Sequence, residues 1–153
     1  MNNIDLKKAS PDDIEDLLRL ERCVDGVKTY SAMTDKDEFL AELKDNNVFI
    51  IKNNDISVGS IMYEIKNPDH AYISGLVVDP HFQGRGIARE ALIIILKELE
   101  HYRRIDLVTH PENFRATKLY ESLGFSIESC KENYFGDGEP RVVMVKALRD
   151  KRG

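Results

Sequence analysis

Leu76-Val77-Val78-Asp79-Pro80-His81-Phe82-Gln83-Gly84-Arg85-Gly86-Ile87-Ala88-Arg89 is the stretch on which the fold turns. Its apolar, β-branched opening reads as a strand, closed by Asp79-Pro80. From Gly86 the pattern becomes that of a strongly apolar helix running to about His101. Glycine lacks a Cβ, so Gly84 and Gly86 let the main chain come close to a ligand. The first N–H groups of a helix have no partner within it, and the helix dipole adds positive potential at the same end. The segment therefore reads as an anion site suited to a pyrophosphate, with Arg85 and Arg89 available for charge-assisted contacts.

A dinucleotide-binding loop uses the same physics. Gly84-x-Gly86 supplies two glycines of a GxGxxG fingerprint, and Asp106 follows about twenty residues later. The third glycine position, however, holds Arg89, where close helix–strand packing needs a small residue, and no second half of a Rossmann sheet follows. A nucleotide-linked oxidoreductase is disfavoured on both counts. A purely structural strand-to-helix turn is the remaining alternative.

Upstream, Asn3–Lys8 reads as a first strand. Ser10-Pro11-Asp12-Asp13 has the cap, proline and acids of a helix start, with the helix reaching about Arg22. Cys23–Ser31 has no clear period and reads as loop, before Thr34-Asp35 caps a second helix that ends near Lys44. Val48–Lys52 and Ile56–Lys66 form a hairpin around Asn53-Asn54-Asp55. A third turn at Asn67-Pro68-Asp69 leads into a strand from about Ala71 to Val78. Downstream come a short buried strand at Ile105–Val108 and a helix over Asn113–Ser122 ending at Gly124. Phe125–Ser129 and Arg141–Ala147 read as two closing strands around Gly136-Asp137-Gly138. The expected architecture is α+β, with a mixed sheet in one domain over residues 1–153.

The whole chain narrows the function. Its 153 residues suffice for one domain with a core, and 42% hydrophobic with 32% charged residues is ordinary for a globular protein. A net charge of −5 argues against general attraction to nucleic acid, and no apolar run approaches the roughly 20 residues that span a bilayer. Cys23 and Cys130 belong to no CxxC or Cys/His cluster, so neither a disulfide framework nor a metal site is expected. MNNIDLKKAS lacks the apolar core of a signal peptide, and a cytoplasmic location is expected.

Gln83-Gly84-Arg85-Gly86-Ile87-Ala88 resembles the Q/R-x-x-G-x-G/A signature of the GNAT superfamily of acyl-CoA N-acetyltransferases. Leu76–Pro80 before it and Asn113-Phe114-Arg115-Ala116-Thr117-Lys118-Leu119-Tyr120-Glu121-Ser122-Leu123-Gly124-Phe125 after it also resemble the family, at the expected spacing. The likeness covers about residues 45–147. It implies roughly six or seven mostly antiparallel strands, splayed between two central parallel ones and flanked by about four helices. It further implies acetyl-CoA as co-substrate, no metal, and transfer of an acetyl group to a primary amine by direct attack on the thioester. A non-catalytic acetyl-CoA-binding module is the alternative.

By that resemblance Leu76, Val77 and Val78 offer main-chain groups to the pantetheine arm and acetyl carbonyl, and Gly84, Arg85, Gly86, Ile87, Ala88 and Arg89 hold the pyrophosphate. Asn113 hydrogen-bonds the pantetheine arm, and it is also a natural helix N-cap. Tyr120 lies near the sulfur as general acid, since a phenol can stabilise and protonate a departing thiolate. The same residue on the inner face of its helix would otherwise be core beside Phe125. The chain looks most like the RimI-like N-terminal acetyltransferase branch, in Leu119–Phe125 and in Asn133-Tyr134-Phe135-Gly136-Asp137-Gly138-Glu139. There a glutamate or histidine often stands five residues before the asparagine as base. Here Val108 takes that place and cannot accept a proton. Tyr72 aligns with a tyrosine that some such enzymes use as base or water relay, and period two puts Ser74 on its side. Glu64, His70 and His110 end strands near the expected cleft, and Tyr134 is placed to line an acceptor groove. The acceptor is a small amine or a protein N-terminus, on a monomer or homodimer.

Overall fold

The computed structural model of the chain describes residues 2–147; Met1 and residues 148–153, the two ends of the expected domain, lie outside the described residues. Ser10 opens the first helical segment as the sequence predicts. Its N–H donates to Asp13 Oδ2 at 2.9 Å, and Pro11–Asp13 forms a 3₁₀ turn before α1 (Ile14–Arg22) begins. Asp35 caps α2 (Lys36–Asp45), its Oδ1 accepting from the N–H groups of Asp37 and Glu38 at 2.8 and 3.1 Å.

β1 (Ile4–Lys8) pairs with β2 (Asn47–Asn53), which turns back into β3 (Ile56–Asn67). Asn54 and Asp55 make that turn with φ of 50° and 69°, the left-handed pair a two-residue hairpin demands. β4 (His70–Val78) follows, then α3 (Ile87–Glu98), β5 (Arg104–Thr109), α4 (Phe114–Ser122), β6 (Ser126–Lys131) and β7 (Arg141–Ala147). They form one 7-stranded sheet in the order β1-β2-β3-β4-β5-β7-β6. Only β4 and β5 run parallel; every other pair is antiparallel. With four α-helices among the described residues, this is the α+β architecture expected.

Two apolar layers hold the sheet. On one face α3 buries Ala91, Leu92, Ile95, Leu96 and Leu99 against Ile61, Ala71, Ile105 and Met144. On the other, Ile14, Leu17 and Leu18 of α1 and Phe39 of α2 cover Val48, Ile50 and Met62. Each fully buried aliphatic chain here contributes about 1.5–3 kcal/mol.

The site is set by where this order fails. β4 pairs with β5 only from His70↔Arg104 to Ile73↔Leu107. Past Ile73, β5 turns to β7 alone, Val108 facing Val143 and Thr109 facing Val142. β4 meanwhile carries an extra residue, Ser74, between partners of Tyr63 and Met62 on β3. This bulge bends the strand away from β5 and leaves one edge of Gly75–Val78 unpaired.

Candidate active site

A cavity of about 740 Å³ fills the gap where β4 and β5 part. Leu76, Val77 and Val78 line it, as do Gly84, Gly86, Ile87, Ala88 and Arg89, then Asn113 and Tyr120. Every expected cofactor residue except Arg85 is therefore brought to one opening. The Arg85 guanidinium lies instead 5.2 Å from the Phe82 ring centroid, on the outside of the turn.

The left-handed backbone explains the glycines. Gly84 and Gly86 have φ of 80° and 78°, a conformation costly for residues with a Cβ. Among the described residues a Cβ built on either would meet nothing within 4 Å, so the space beside both glycines is open. Gly86 is the N-cap of α3 and supplies no side-chain cap, which leaves the first amides of the helix free. Arg89 reaches the cavity rim, its Nη1 donating to Ser122 Oγ at 2.7 Å.

The open edge of β4 also has a definite polarity. A Cβ on Gly59 would lie 2.3 Å from the Val77 carbonyl oxygen, so Val77 aims its peptide groups at β3. Asp79 N–H, two residues on, likewise donates to Val58 O on β3 at 2.8 Å. By alternation, the polar groups of Leu76 and Val78 face the gap. Gln83 Nε2 already donates to Val78 O at 3.0 Å, from the gap side. The amides of Leu76 and Val78 are thus the pair facing the opening, rather than that of Val77.

Tyr120 ends the cavity at its floor, 9% exposed, with its ring edge-on to Phe125 at 6.0 Å. Among the described residues no hydrogen bond reaches its hydroxyl. Burial, reinforced by nearby Tyr30, pushes its pKa well above the ordinary tyrosine value, so it holds its proton as a donor should. Asn113 acts as N-cap of α4, its Oδ1 accepting from Ala116 N–H at 3.2 Å, while Tyr30 lies against the same side chain.

A second cavity of about 250 Å³ adjoins the first, and the two share Tyr72, Val108 and Phe135 in their walls. Tyr134 lines the second, with Lys66, His70 and Asp106. Burial, then Tyr134, raises the Tyr72 pKa far above the ordinary value. The Tyr72 hydroxyl therefore keeps its proton at neutral pH, where it can pass a hydrogen bond between the two cavities.

The histidines and Glu64 are otherwise engaged. His70 Nε2 lies 2.7 Å from Asp106 Oδ1. His110, fully buried, accepts from Glu112 N–H through Nδ1 at 3.0 Å and meets Glu139 Oε1 through Nε2 at 2.7 Å. Both ring nitrogens of His110 are committed, so it ties the β6–β7 loop to the end of β5 instead of serving as a base. The Glu64 carboxylate meets Lys66 and Asn46.

One cavity residue was missed by the sequence reading. Glu21 is 3% exposed at the end of α1 and lines the main cavity. Its Oε1 accepts from Met33 N–H at 2.9 Å, while Oε2 is buried without a partner. A signal existed: Ile14, Leu17, Leu18 and Glu21 follow i, i+3, i+4, i+7, so the acid occupies the apolar stripe of its helix.

An open strand edge, a bare helix N-terminus and a buried tyrosine thus meet in one cavity. Residues 13–125 match the Acetyltransferase (GNAT) family, and the chain belongs to it. The [ribosomal protein bS18]-alanine N-acetyltransferase of Haemophilus ducreyi is 33% identical over 84 residues, 52% of this chain and 58% of that protein. The chain thus spans little more than half the length of such curated relatives. Among solved structures, the ribosomal-protein-S18-alanine N-acetyltransferase from Escherichia coli superposes with a TM-score of 0.79 at 21% identity, over 100% of this chain and 99% of that one. A ribosomal L7/L12 α-N-protein acetyltransferase in complex with coenzyme A gives 0.76 at 17% identity, over 95% and 94%. At these identities the two structures speak for the fold.

Proposed function

We propose that the protein transfers an acetyl group from acetyl-CoA to a primary amine, the acceptor being a protein N-terminus. The observation that carries this reading is the meeting of three features in one cavity. These are the free amides at the start of α3, the unpaired edge of β4, and the Tyr120 hydroxyl at the floor. The amides from Gly84 to Arg89 would hold the diphosphate, with Arg89 adding its charge. The β4 edge would hydrogen-bond the pantetheine arm as a missing strand would, helped by Asn113.

Acetyl-CoA supplies the activated acyl group; the chain supplies position and charge. As the amine attacks, negative charge gathers on the carbonyl oxygen, and the gap-facing amides of Leu76 and Val78 are the preorganised donors for it. Tyr120 then hydrogen-bonds the departing sulfur and yields its proton there. Tyr72 carries a water-mediated contact between the two cavities, and Tyr134 lines the groove through which the acceptor enters. The names of the bS18-alanine relatives favour an N-terminal acceptor over a small amine. The cofactor core covers residues 45–147 of a domain extending over 1–153. Two free thiols, Cys23 and Cys130, suit a reducing cytoplasm.

The test is release of free thiol from acetyl-CoA, followed across a panel of alanine-, serine- and methionine-initiated peptides and alkylamines. Peptide-dependent release is expected. Saturable acetyl-CoA binding with no release from any acceptor would instead identify a binding module.

A further inference from the structure

Resting on the acetyltransferase reading, we propose that Glu21 receives the acceptor's ammonium group and takes its proton, with Ser74 orienting the amine beside the β4 bulge.

Three buried side-chain atoms lack a hydrogen-bond partner among the described residues: Glu21 Oε2, Ser60 Oγ and Ser74 Oγ. Two of the three, those of Glu21 and Ser74, belong to side chains that line the main cavity. Leaving buried polar groups unpaired costs about 1–3 kcal/mol each, more for a charged one, so such atoms mark places that water or a ligand completes. A carboxylate oxygen calls for a donor, and the Ser74 hydroxyl oxygen can take one as well. An ammonium offers three N–H donors, enough for one carboxylate oxygen and one hydroxyl at once.

The position of Val108 makes the need specific. An acceptor amine is mostly protonated at neutral pH, with a pKa of about 8 for an N-terminus and 10 for an alkylamine, and only the neutral form attacks. The strand position expected to hold a base is apolar, His110 and His70 are engaged, and Tyr72 holds its proton. Glu21 comes from a different element, α1, and lines the same cavity. No ion pair is made to it among the described residues. Facing the cavity with it are Tyr30 from the loop after α1, Tyr72 from β4, and His110 past the end of β5. From the helices come Arg89 on α3 and Arg115 and Tyr120 on α4, and Arg141 opens β7. Burial raises the Glu21 pKa, opposed only by the Met33 N–H, which brings the carboxylate nearer to the basicity a general base needs.

The Glu21 carboxylate takes one proton from the ammonium, and the nitrogen lone pair forms the C–N bond to the acetyl carbon. The C–S bond breaks, its electron pair leaving on sulfur, which Tyr120 protonates. Of the two protons then on the acylated nitrogen, one passes through water to the Tyr120 phenolate and one stays on the amide, and the proton on Glu21 goes to solvent as product leaves.

Glu21→Gln tests this directly, because the amide oxygen can still accept from Met33 N–H while the charge is gone. With the fastest acceptor from the peptide and amine panel, kcat/KM is expected to fall about 10²–10⁴-fold. Its acidic limb should disappear from the pH profile, while acetyl-CoA affinity stays within about twofold. Ser74→Ala should raise the acceptor KM with a smaller change in kcat. Unchanged kcat/KM and pH profile in Glu21→Gln would reduce Glu21 to a loop tether and overturn the assignment, with the acetyltransferase reading intact. If the parent chain turns over no member of the panel, the reading beneath it falls instead.

Discussion

At the Gly84–Arg89 end of the main cavity, the groups facing the opening are main-chain amides; at the Glu21 end they are side chains held by distant partners. The first end needs only two left-handed glycines and a helix that starts without a side-chain cap. The second needs Glu21 to hold Met33 across 12 positions of sequence and His110 to hold Glu139 across 29. Arg141, almost fully buried, adds a bond to Asp137 at 3.0 Å and stacks its guanidinium 5.1 Å from Phe135. In the proposed function, amides would take the part of the cofactor that does not vary, a diphosphate and a pantetheine arm. Side chains on loops are where acceptor choice resides.

If that division is right, the largest single effect falls on the amide end. Gly86→Glu puts a Cβ on a residue with φ of 78° and a negative charge against the anion site. Acetyl-CoA affinity, measured by calorimetry, is expected to drop by more than about 100-fold, at least the upper end of what one charge-assisted hydrogen bond is worth. A folded variant that binds normally would move the phosphates elsewhere and erase the contrast. Next in size is Tyr120→Phe, which removes a donor between the two ends. Turnover should fall about 100-fold with cofactor affinity nearly unchanged. An unaltered rate would return Tyr120 to the core as a partner of Phe125.

The same division explains what could be read from the sequence. Strand, glycine turn and helix follow one another within Leu76–Arg89, so local periodicity and turn chemistry are enough to place them, and the structure keeps the strand bounds and the helix start within a residue, while the helix ends at Glu98, three residues before His101. The splay was legible only through resemblance, because the Ser74 bulge depends on register against Met62 and Tyr63. Which peptide faces the gap was not legible: a one-residue choice between Val77 and its neighbours is fixed by pairing with β3, not by residue type. The burial that raises the Tyr72 pKa was not legible either, since burial is a property of the fold. Glu21 broke the apolar stripe of α1 in plain view, but an acid near a helix end is usually solvated, and only the partnerless oxygen gives it meaning.

A milder perturbation addresses the acceptor side alone. Glu139→Ala removes the carboxylate that meets His110 Nε2 and frees the β6–β7 loop from the end of β5. The acceptor KM should rise roughly tenfold, near the worth of one charge-assisted bond, while acetyl-CoA affinity stays put. Equal losses in both would mean the two ends are one mechanical unit.

The smallest effect is the most diagnostic, because it asks what Glu21 costs the fold. Its pKa is raised in the folded protein by burial, so the native state binds its proton more tightly than the unfolded chain does. Stability from this group is therefore complete below the ordinary glutamate range and lost as pH rises through the raised native value. Glu21→Gln does not titrate, keeps the bond to Met33, and leaves no buried charge. The variant should gain on the parent as pH is raised from about 4 to 8, read as a widening difference in Tm between the two. A gain in stability at pH 8 together with a loss of acetyl transfer is what a carboxylate kept for chemistry produces. A carboxylate kept only to tether the loop would show no such trade, since glutamine tethers it equally well.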